Sequence, residues 1–529
     1  MRGSLPRQGS QWPLHRRSWS IAWPDASWTC SRLPGSDTRV FAVNSPPNIL
    51  WYCTDQQRFD TIAALGNPHV VTPTMDSLVA EGTTLTCCYC QSPICTPSRA
   101  SFLTGLYPSR ARNCRNGNEN YPGHPRLVSK RLADAGYDCG LIGKFHLQSA
   151  GHRTEPRLEE DGYRYWRFSH APRDDWPQGH DYADWVRGQG EDLDELRHRD
   201  ERVPPGLHQT AWATDRAIEF VTQDRSGPWM LSVNVYDPHP PFIPPRSYAD
   251  RFDRDRMPGP YFRDSDLAAQ ARLAEIDFQT LAAHPDTFDG RRVQALYYAM
   301  IAQVDDQLGR LLDCLDATGQ RDDTLVIFTS DHGESLGDHG LLYKGCRFYE
   351  GLVRVPLIFR WPGHVQAGVQ SDALVELLDK SATIVDVAAA GGLNELQGRS
   401  LWPLLSGRVS PDHHRDFVRS EYYDALDPAF IGTGSPDTPK PADVSQGHSD
   451  DEPAAGTYGT MYRDRRHKLS VYHGHEIGEL FDLETDPWEF DNLWDDPASA
   501  AIKAELIKAS FDASIQSGVD VGTRRIAPM

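Results

Sequence analysis

Short unbroken apolar runs that end in polar clusters dominate the pattern of this chain. Asn48–Thr54 runs into Asp55-Gln56, Trp229–Tyr236 into Asp237-Pro238-His239, and Thr324–Ser330 into Asp331-His332. A fourth run, Tyr137–Ile142, ends in Gly143-Lys144-Phe145-His146. Runs of Val, Ile, Leu and aromatic residues without alternation fit strands buried on both faces of a parallel sheet. Between them the apolar period lengthens to that of a helix over Thr74–Glu81, Leu127–Ala135, Thr210–Thr222 and Ala295–Thr318. In the last of these, Ala299, Ile301, Val304, Leu308, Leu311 and Leu312 form one stripe. Strands alternating with helices predict an α/β sandwich around a mostly parallel central sheet. Ligands bind such sheets beyond the carboxyl ends of the strands, so the four polar clusters are expected to share one crevice.

The texture changes near Pro411. Gly432–Ala455 is rich in Pro, Gly, Ser and Asp and reads as a long loop. Thr457–Arg463, His467–Tyr472 and Glu479–Leu483 read as short strands with a turn near His473-Gly474, and Pro497–Ser517 as a final helix. The expected division is an extension without regular structure over 1–45, a main domain over 46–410 and a smaller α+β domain over 411–529. The first 45 residues are rich in Arg, Trp, Ser and Pro and lack periodicity. Arg16-Arg17 is not followed by the apolar stretch of an export signal, since Pro24 and Asp25 interrupt it.

Composition adds boundaries to this picture. Hydrophobic residues at 39% and charged residues at 24% are those of a globular protein. A formal charge of −20 disfavours nucleic acid and anionic membranes as partners. No apolar stretch has the length of a membrane-spanning helix. Five of the ten cysteines fall between Cys87 and Cys114, which is not a disulfide framework spread along a secreted chain. Cys53 and Cys139 lie in apolar runs and read as inert core thiols. A cytoplasmic location is the simplest expectation.

The segment Pro93-Ile-Cys95-Thr96-Pro97-Ser98-Arg99 carries the strongest chemical signal. Thr96 reads as an N-cap and Pro97 as the first helical residue. Cys95 then sits just ahead of a helix N-terminus, where free N–H groups favour negative charge. Arg99, one turn in, adds a planar cation suited to oxyanions. Such a thiol has a lowered pKa and nucleophilic character. The plainer alternative is a buried cysteine before a capped helix.

Cys95-Thr96-Pro97-Ser98-Arg99 resembles the Cys-x-Pro-Ser-Arg signature of the sulfatases, and Gly136–His146 resembles their second signature. Glu479–Glu489, with Asp486-Pro487-Trp488-Glu489, is similar to their C-terminal part. The resemblance implies an alkaline-phosphatase-like fold and hydrolysis of a small sulfate monoester. It also implies conversion of Cys95 to formylglycine (3-oxoalanine) by a separate formylglycine-generating enzyme, a transient partner.

A sulfate ester is already anionic, so attack requires its charge to be masked, which a divalent metal does. By resemblance Asp55, Gln56, Asp331 and His332 hold this ion, with residue 95 as a further ligand. Gln56 and His332 depart from the commoner Asp-Asp and Asp-Asn pairs and resemble the choline-sulfatase and phosphonate-monoester-hydrolase branches. All-oxygen sites suit Ca²⁺, whereas an imidazole favours a transition metal such as Mn²⁺. Lys144 and Lys344 match the family's sulfate-binding lysines. His239 matches the group that protonates the leaving oxygen, and His146 the one that expels sulfate and regenerates the aldehyde. Asp331 is also the expected base for the nucleophile, and Asn116 sits where the phosphonate branch places a substrate contact. Taken singly, each lysine reads more readily as a solvated surface charge than as a site residue, and His239, between two prolines, could merely shape a turn.

Two other readings compete. A phosphonate monoesterase or phosphodiesterase on the same fold is favoured by the Asp-Gln and Asp-His pairs, and disfavoured by Lys144 and His146, where that branch has neutral hydroxyl residues. A non-enzymatic metal protein using Cys87, Cys88, Cys90 and Cys95 lacks the second pair of ligands that structural zinc sites carry.

Overall fold

The computed structural model describes residues 46–114, 116, 125–148, 155, 157–199, 203–423 and 457–518. The expected N-terminal extension and the expected loop at Gly432–Ala455 lie outside them.

Nine strands form the main sheet: β1 Asn48–Thr54, β2 Thr83–Tyr89, β3 Asp138–Gly143, β4 Tyr165–Phe168, β5 Trp229–Asn234, β6 Thr324–Ser330, β7 Arg354–Val355, β8 Leu357–Arg360 and β9 Val369–Glu376. Their order is β4-β3-β5-β1-β6-β8-β2-β7, with β9 also paired to β2. From β4 to β6 every pairing is parallel, while β8 is antiparallel to both β6 and β2. The four strands read from the sequence, β3, β5, β1 and β6, are therefore consecutive neighbours running one way. Their polar ends emerge along a single edge.

Alternation along β1 builds the two outer layers. Leu50 and Tyr52 join a core with the helix Gly290–Ala317 on one face. Trp51 faces the other way and meets Phe102 of the helix Cys95–Thr104 edge-on, with ring centroids 5.3 Å apart. Each large side chain enclosed this way contributes roughly 1.5–3 kcal/mol. The helices Pro73–Glu81, Val128–Asp134, Gln209–Val221 and Gly290–Ala317 lie within a few residues of the expected spans.

A second, antiparallel sheet has the order β10 Val418–Tyr423, β11 Tyr458–Arg463, β12 His467–Tyr472 and β13 Gly478–Asp482. The helix Ala500–Gly518 packs on it through Leu506 and Ala513, against Leu469 and Leu480. Among the described residues, no helix is long and apolar enough to cross a membrane.

Two local expectations change. Helix Cys95–Thr104 starts at Cys95 with Ile94 as its cap residue, so Thr96 lies inside the first turn and caps nothing. Pro97 tolerates the first turn because the N–H it lacks has no intrahelical acceptor there. The cysteines at 87 and 88 belong to β2, a strand the sequence reading missed. Successive strand residues point to opposite faces, so the two thiols cannot converge on one ion.

Candidate active site

Residue 95 sits where the first turn of its helix meets the ends of β1, β3 and β6. Arg99, one turn further in, is 1% exposed and forks between carboxylates. Its Nε donates to Asp331 Oδ2 at 2.9 Å, its Nη2 to Asp55 Oδ2 at 3.1 Å, and its Nη1 to the Lys144 carbonyl at 3.1 Å. The arginine read from the sequence as a planar cation suited to oxyanions is thus also the group that orients both aspartates. The helix lies so close to the strand ends that the guanidinium holds two aspartates in place. Ser98 Oγ donates to the Asp331 carbonyl at 2.5 Å, tying the same turn to β6.

Four ligand atoms, from Asp55, Cys95, Asp331 and His332, lie within 4.8 Å of one another, all buried. Among the described residues this is the one such group, and Cys87, Cys88 and Cys90 are not part of it. His332 Nδ1 lies 2.8 Å from the Gly333 carbonyl, which makes Nδ1 the protonated nitrogen and leaves the Nε2 lone pair 3.1 Å from Cys95 Sγ. Two carboxylates, an imidazole nitrogen and residue 95 are a donor set that suits a divalent cation. The chain fits closely here: a Cβ on Gly333 would stand 1.9 Å from the Gly351 carbonyl oxygen.

Cations close the other side. Lys344 Nζ donates to Cys95 Sγ at 2.8 Å and to Gln56 Oε1 at 2.7 Å, and lies 2.9 Å from His239 Nε2. Lys144 Nζ bonds Asp55 Oδ2 and reaches Cys95 Sγ at 3.5 Å. Lys144 follows Gly143, whose φ of +91° and contact with Asn234 leave no room for a Cβ. Burial and Asp55 push the Cys95 thiol up, but Lys144, Lys344 and His332 outweigh them and bring it down to about 7. Burial alone would raise Asp55, yet Lys144 and Arg99 hold it well below the usual carboxylate range. Burial, and then Lys344, depress His239. Its Nδ1 faces the Pro240 carbonyl at 2.6 Å, so Nε2 is the acceptor beside Lys344.

Residues 47–390 match the sequence model of the family described as Sulfatase. The chain belongs to the sulfatase family. This sulfatase is 30% identical to Arylsulfatase A of Bos taurus over 90% of each chain. It is likewise 30% identical to the multifunctional alkaline phosphatase superfamily protein PehA of Trinickia caryophylli, over 86% of this chain and 92% of that one. Among solved structures, phosphonate monoester hydrolase of Agrobacterium radiobacter superposes with a TM-score of 0.72 at 28% identity, covering 89% of this chain and 96% of that one. Membership makes the protein a sulfuric-ester hydrolase of the alkaline phosphatase superfamily, a family that uses a divalent metal and formylglycine.

The remaining expected residues fall less centrally in the sulfatase. His146, at φ +56°, packs edge-on against His170 with centroids 4.8 Å apart, and its Nδ1 has no partner among the described residues. Burial, Lys144 and His170 push it well below the usual imidazole value. Asn116 Oδ1 accepts the Thr96 backbone N–H at 2.9 Å, so this side chain, rather than Thr96, caps the nucleophile helix. Sequence reading missed Glu334. Its carboxylate accepts from Gln56 Nε2 and from the Leu336 N–H, turning the Gln56 oxygen toward Lys344. The one signal was its place in Asp331-His332-Gly333-Glu334. His170 and Tyr236, whose rings pack against His146 and His239, carried none.

Proposed function

We propose that this sulfatase cleaves a small sulfate monoester with residue 95, as formylglycine, for nucleophile, and that it prefers sulfate over phosphonate and phosphate diesters. The observation that carries this reading is Lys344 Nζ, within 2.9 Å of the residue-95 side chain, the Gln56 oxygen and His239 Nε2 together. Asp55, Gln56, Asp331 and His332 would hold the divalent ion, and the imidazole would favour Mn²⁺ over Ca²⁺. When bound there, the ion would supply positive charge that masks the ester and favours the deprotonated nucleophile.

The chain's own groups divide the remaining work. Lys144 and Lys344 neutralise sulfuryl oxygens as charge builds. Neutral His239 accepts a proton from Lys344 at Nε2 and passes it to the leaving oxygen, so the pair holds one mobile proton. Asp331 accepts the nucleophile's proton, and Arg99 keeps both aspartates oriented. His146, kept neutral by burial and Lys144, takes up the proton released when sulfate departs. Conversion of Cys95 by a formylglycine-generating enzyme is supported by Cys95, Pro97 and Arg99.

Phosphonate monoester hydrolysis is the second reading, favoured by Gln56 and His332 and by the fold likeness to such a hydrolase. Rates on an aryl sulfate, an aryl phosphonate monoester and a phosphodiester decide between them, measured with enzyme whose residue-95 peptide has the aldehyde mass. The expected result is the highest kcat/KM on the sulfate, reduced at least about tenfold by Lys144→Ala, since a charge-assisted contact contributes roughly 1.5–3 kcal/mol. A clear preference for the phosphonate, with Lys144→Ala harmless, overturns the sulfate reading.

A further inference from the structure

A fifth strand end reaches the crevice that β1, β3, β5 and β6 share. β4 lies at the edge of the main sheet, parallel to β3, with Phe168 level with Gly143. The ladder continues one step past β4, where the Ser169 N–H donates to the Gly143 carbonyl at 3.1 Å. His170, one residue on, therefore stands beside the turn Lys144-Phe145-His146. The two imidazoles meet there, ring centroids 4.8 Å apart and planes at 85°.

An imidazole is ordinarily aimed by a hydrogen bond from one ring nitrogen. His239 has such a bond, Nδ1 to the Pro240 carbonyl, and His332 has one to the Gly333 carbonyl. His146 differs from both. It is 8% exposed, and its Nδ1 has no partner among the described residues. Its backbone is left-handed, at φ +56°, which is uncommon for a residue with a side chain. What confines this ring is packing, and the ring that packs on it is His170.

His170 is itself held on all sides. Its N–H donates to His180 Nε2 at 3.0 Å, and its carbonyl accepts from Gln209 Nε2 at 2.6 Å. His180 is the cap residue of the helix Asp181–Gly188, so the loop after β4 is pinned to a fixed element. The His170 ring lies 5.5 Å from that of Trp176 and 6.2 Å from that of Tyr236. Its own Nε2 has no partner either, so it meets His146 as a flat, rigid edge rather than through a hydrogen bond.

We propose that His170 is a positioning residue whose ring sets the direction of the His146 imidazole for the departure of sulfate. The proposal rests on the role given to His146 above. In that step the free hydroxyl of residue 95 gives its proton to His146 and the aldehyde C=O forms. The C–O bond to sulfate breaks, and sulfate leaves with the electron pair.

The test uses the aldehyde-bearing enzyme and an aryl sulfate. His170→Ala is expected to lower kcat about tenfold or more, the effect of a misaimed group. kcat/KM should stay at the wild-type value, because it reports only the steps up to release of the alcohol, and KM should fall with kcat. The residue-95 peptide, quenched during turnover, should carry the mass of a sulfate adduct. His170→Phe keeps a flat ring and loses both nitrogens, and should restore most of kcat and clear the adduct. Should His170→Ala not fold, as read by Tm, His170→Leu, bulky but without a flat edge, takes its place. Wild-type kcat without adduct in the variant lacking a ring overturns the proposal. So does an equal fall in kcat and kcat/KM, which assigns His170 to the first half-reaction or to general packing. His170→Phe as slow as His170→Ala overturns it too, since a ring nitrogen would then be what matters. His146→Ala separates this inference from the reading beneath it. Adduct in His146→Ala but not in His170→Ala removes His170 alone, whereas no adduct in His146→Ala removes the role of His146 and the proposal with it.

Discussion

At the scale of single residues, the site depends on how few groups hold each side chain in place. Cys95→Ala should abolish turnover with Tm unchanged, because a fully enclosed side chain loses only its sulfur. Retained activity removes residue 95 from the mechanism. Glu334 makes a subtler case. It accepts from the Gln56 amide nitrogen, and Lys344 donates to the amide oxygen, so the amide has one orientation. Glu334→Gln offers an amide where a carboxylate stood and frees Gln56 to turn over. Losing one hydrogen bond to a charged group is expected to lower kcat/KM by about tenfold to a hundredfold. Folding, read by Tm, should hold, and Gln56→Ala should cost no more in the Glu334→Gln background than alone. An additive double variant would mean that Glu334 acts elsewhere. Asp55, Asp331 and His332 were legible in the sequence because strand ends announce them. Glu334 was not, since its role is fixed by a turn that brings it back under Gln56.

At the scale of elements, the helix Leu377–Val387 backs the nucleophile helix with an unusual group. Lys380 Nζ lies 3.4 Å from the Trp51 ring centre and 3.9 Å from that of Phe102, with no hydrogen-bond partner among the described residues. Two π faces offer an ammonium about 1–2 kcal/mol, less than the cost of enclosing an unpaired charge. Burial therefore drives the amine well below its usual value and leaves it neutral. The unfolded chain takes up a proton below about pH 10.4 that the folded chain does not, so this group's contribution to stability falls as pH drops from there. Lys380→Met should raise Tm at pH 7 and reduce the gain in Tm between pH 7 and 9.5. An equal pH dependence in both proteins removes Lys380 as its source. Neither this packing nor β2 was visible in the sequence. Thr83–Tyr89, rich in Thr and Cys, drew the eye to its thiols rather than to its period.

Across the whole molecule, the small sheet joins the main one through buried charge. Lys468 of β12 bridges Glu350, at 3.0 Å, and Glu489. Glu489 also accepts the Glu350 N–H at 2.6 Å. One lysine cannot satisfy two carboxylates. Burial, only partly offset by Lys468, pushes Glu489 up to about 7, while Glu350 is held low by Lys468 and Arg463 against its own burial. A carboxyl raised in the folded state binds its proton more tightly there, so its contribution to stability falls as pH rises from about 4.3 through 7. Glu489→Gln should match wild type in Tm near pH 5 and exceed it at pH 8.5. A constant difference across that range would assign the effect to packing.

The sequence by itself determined the α/β class with its mostly parallel sheet, the polar strand ends and the nucleophile segment, because strand burial and helix-start chemistry are local signals that neighbouring residues carry. It also determined the family, through Cys95-Thr96-Pro97-Ser98-Arg99 and Gly136–His146. Only the tertiary structure decided that Arg99 binds both aspartates, that Asn116 caps the nucleophile helix, and that Glu334 sets the Gln56 amide. These depend on distances between segments up to 278 residues apart, and no local pattern encodes the separation of two surfaces once they pack.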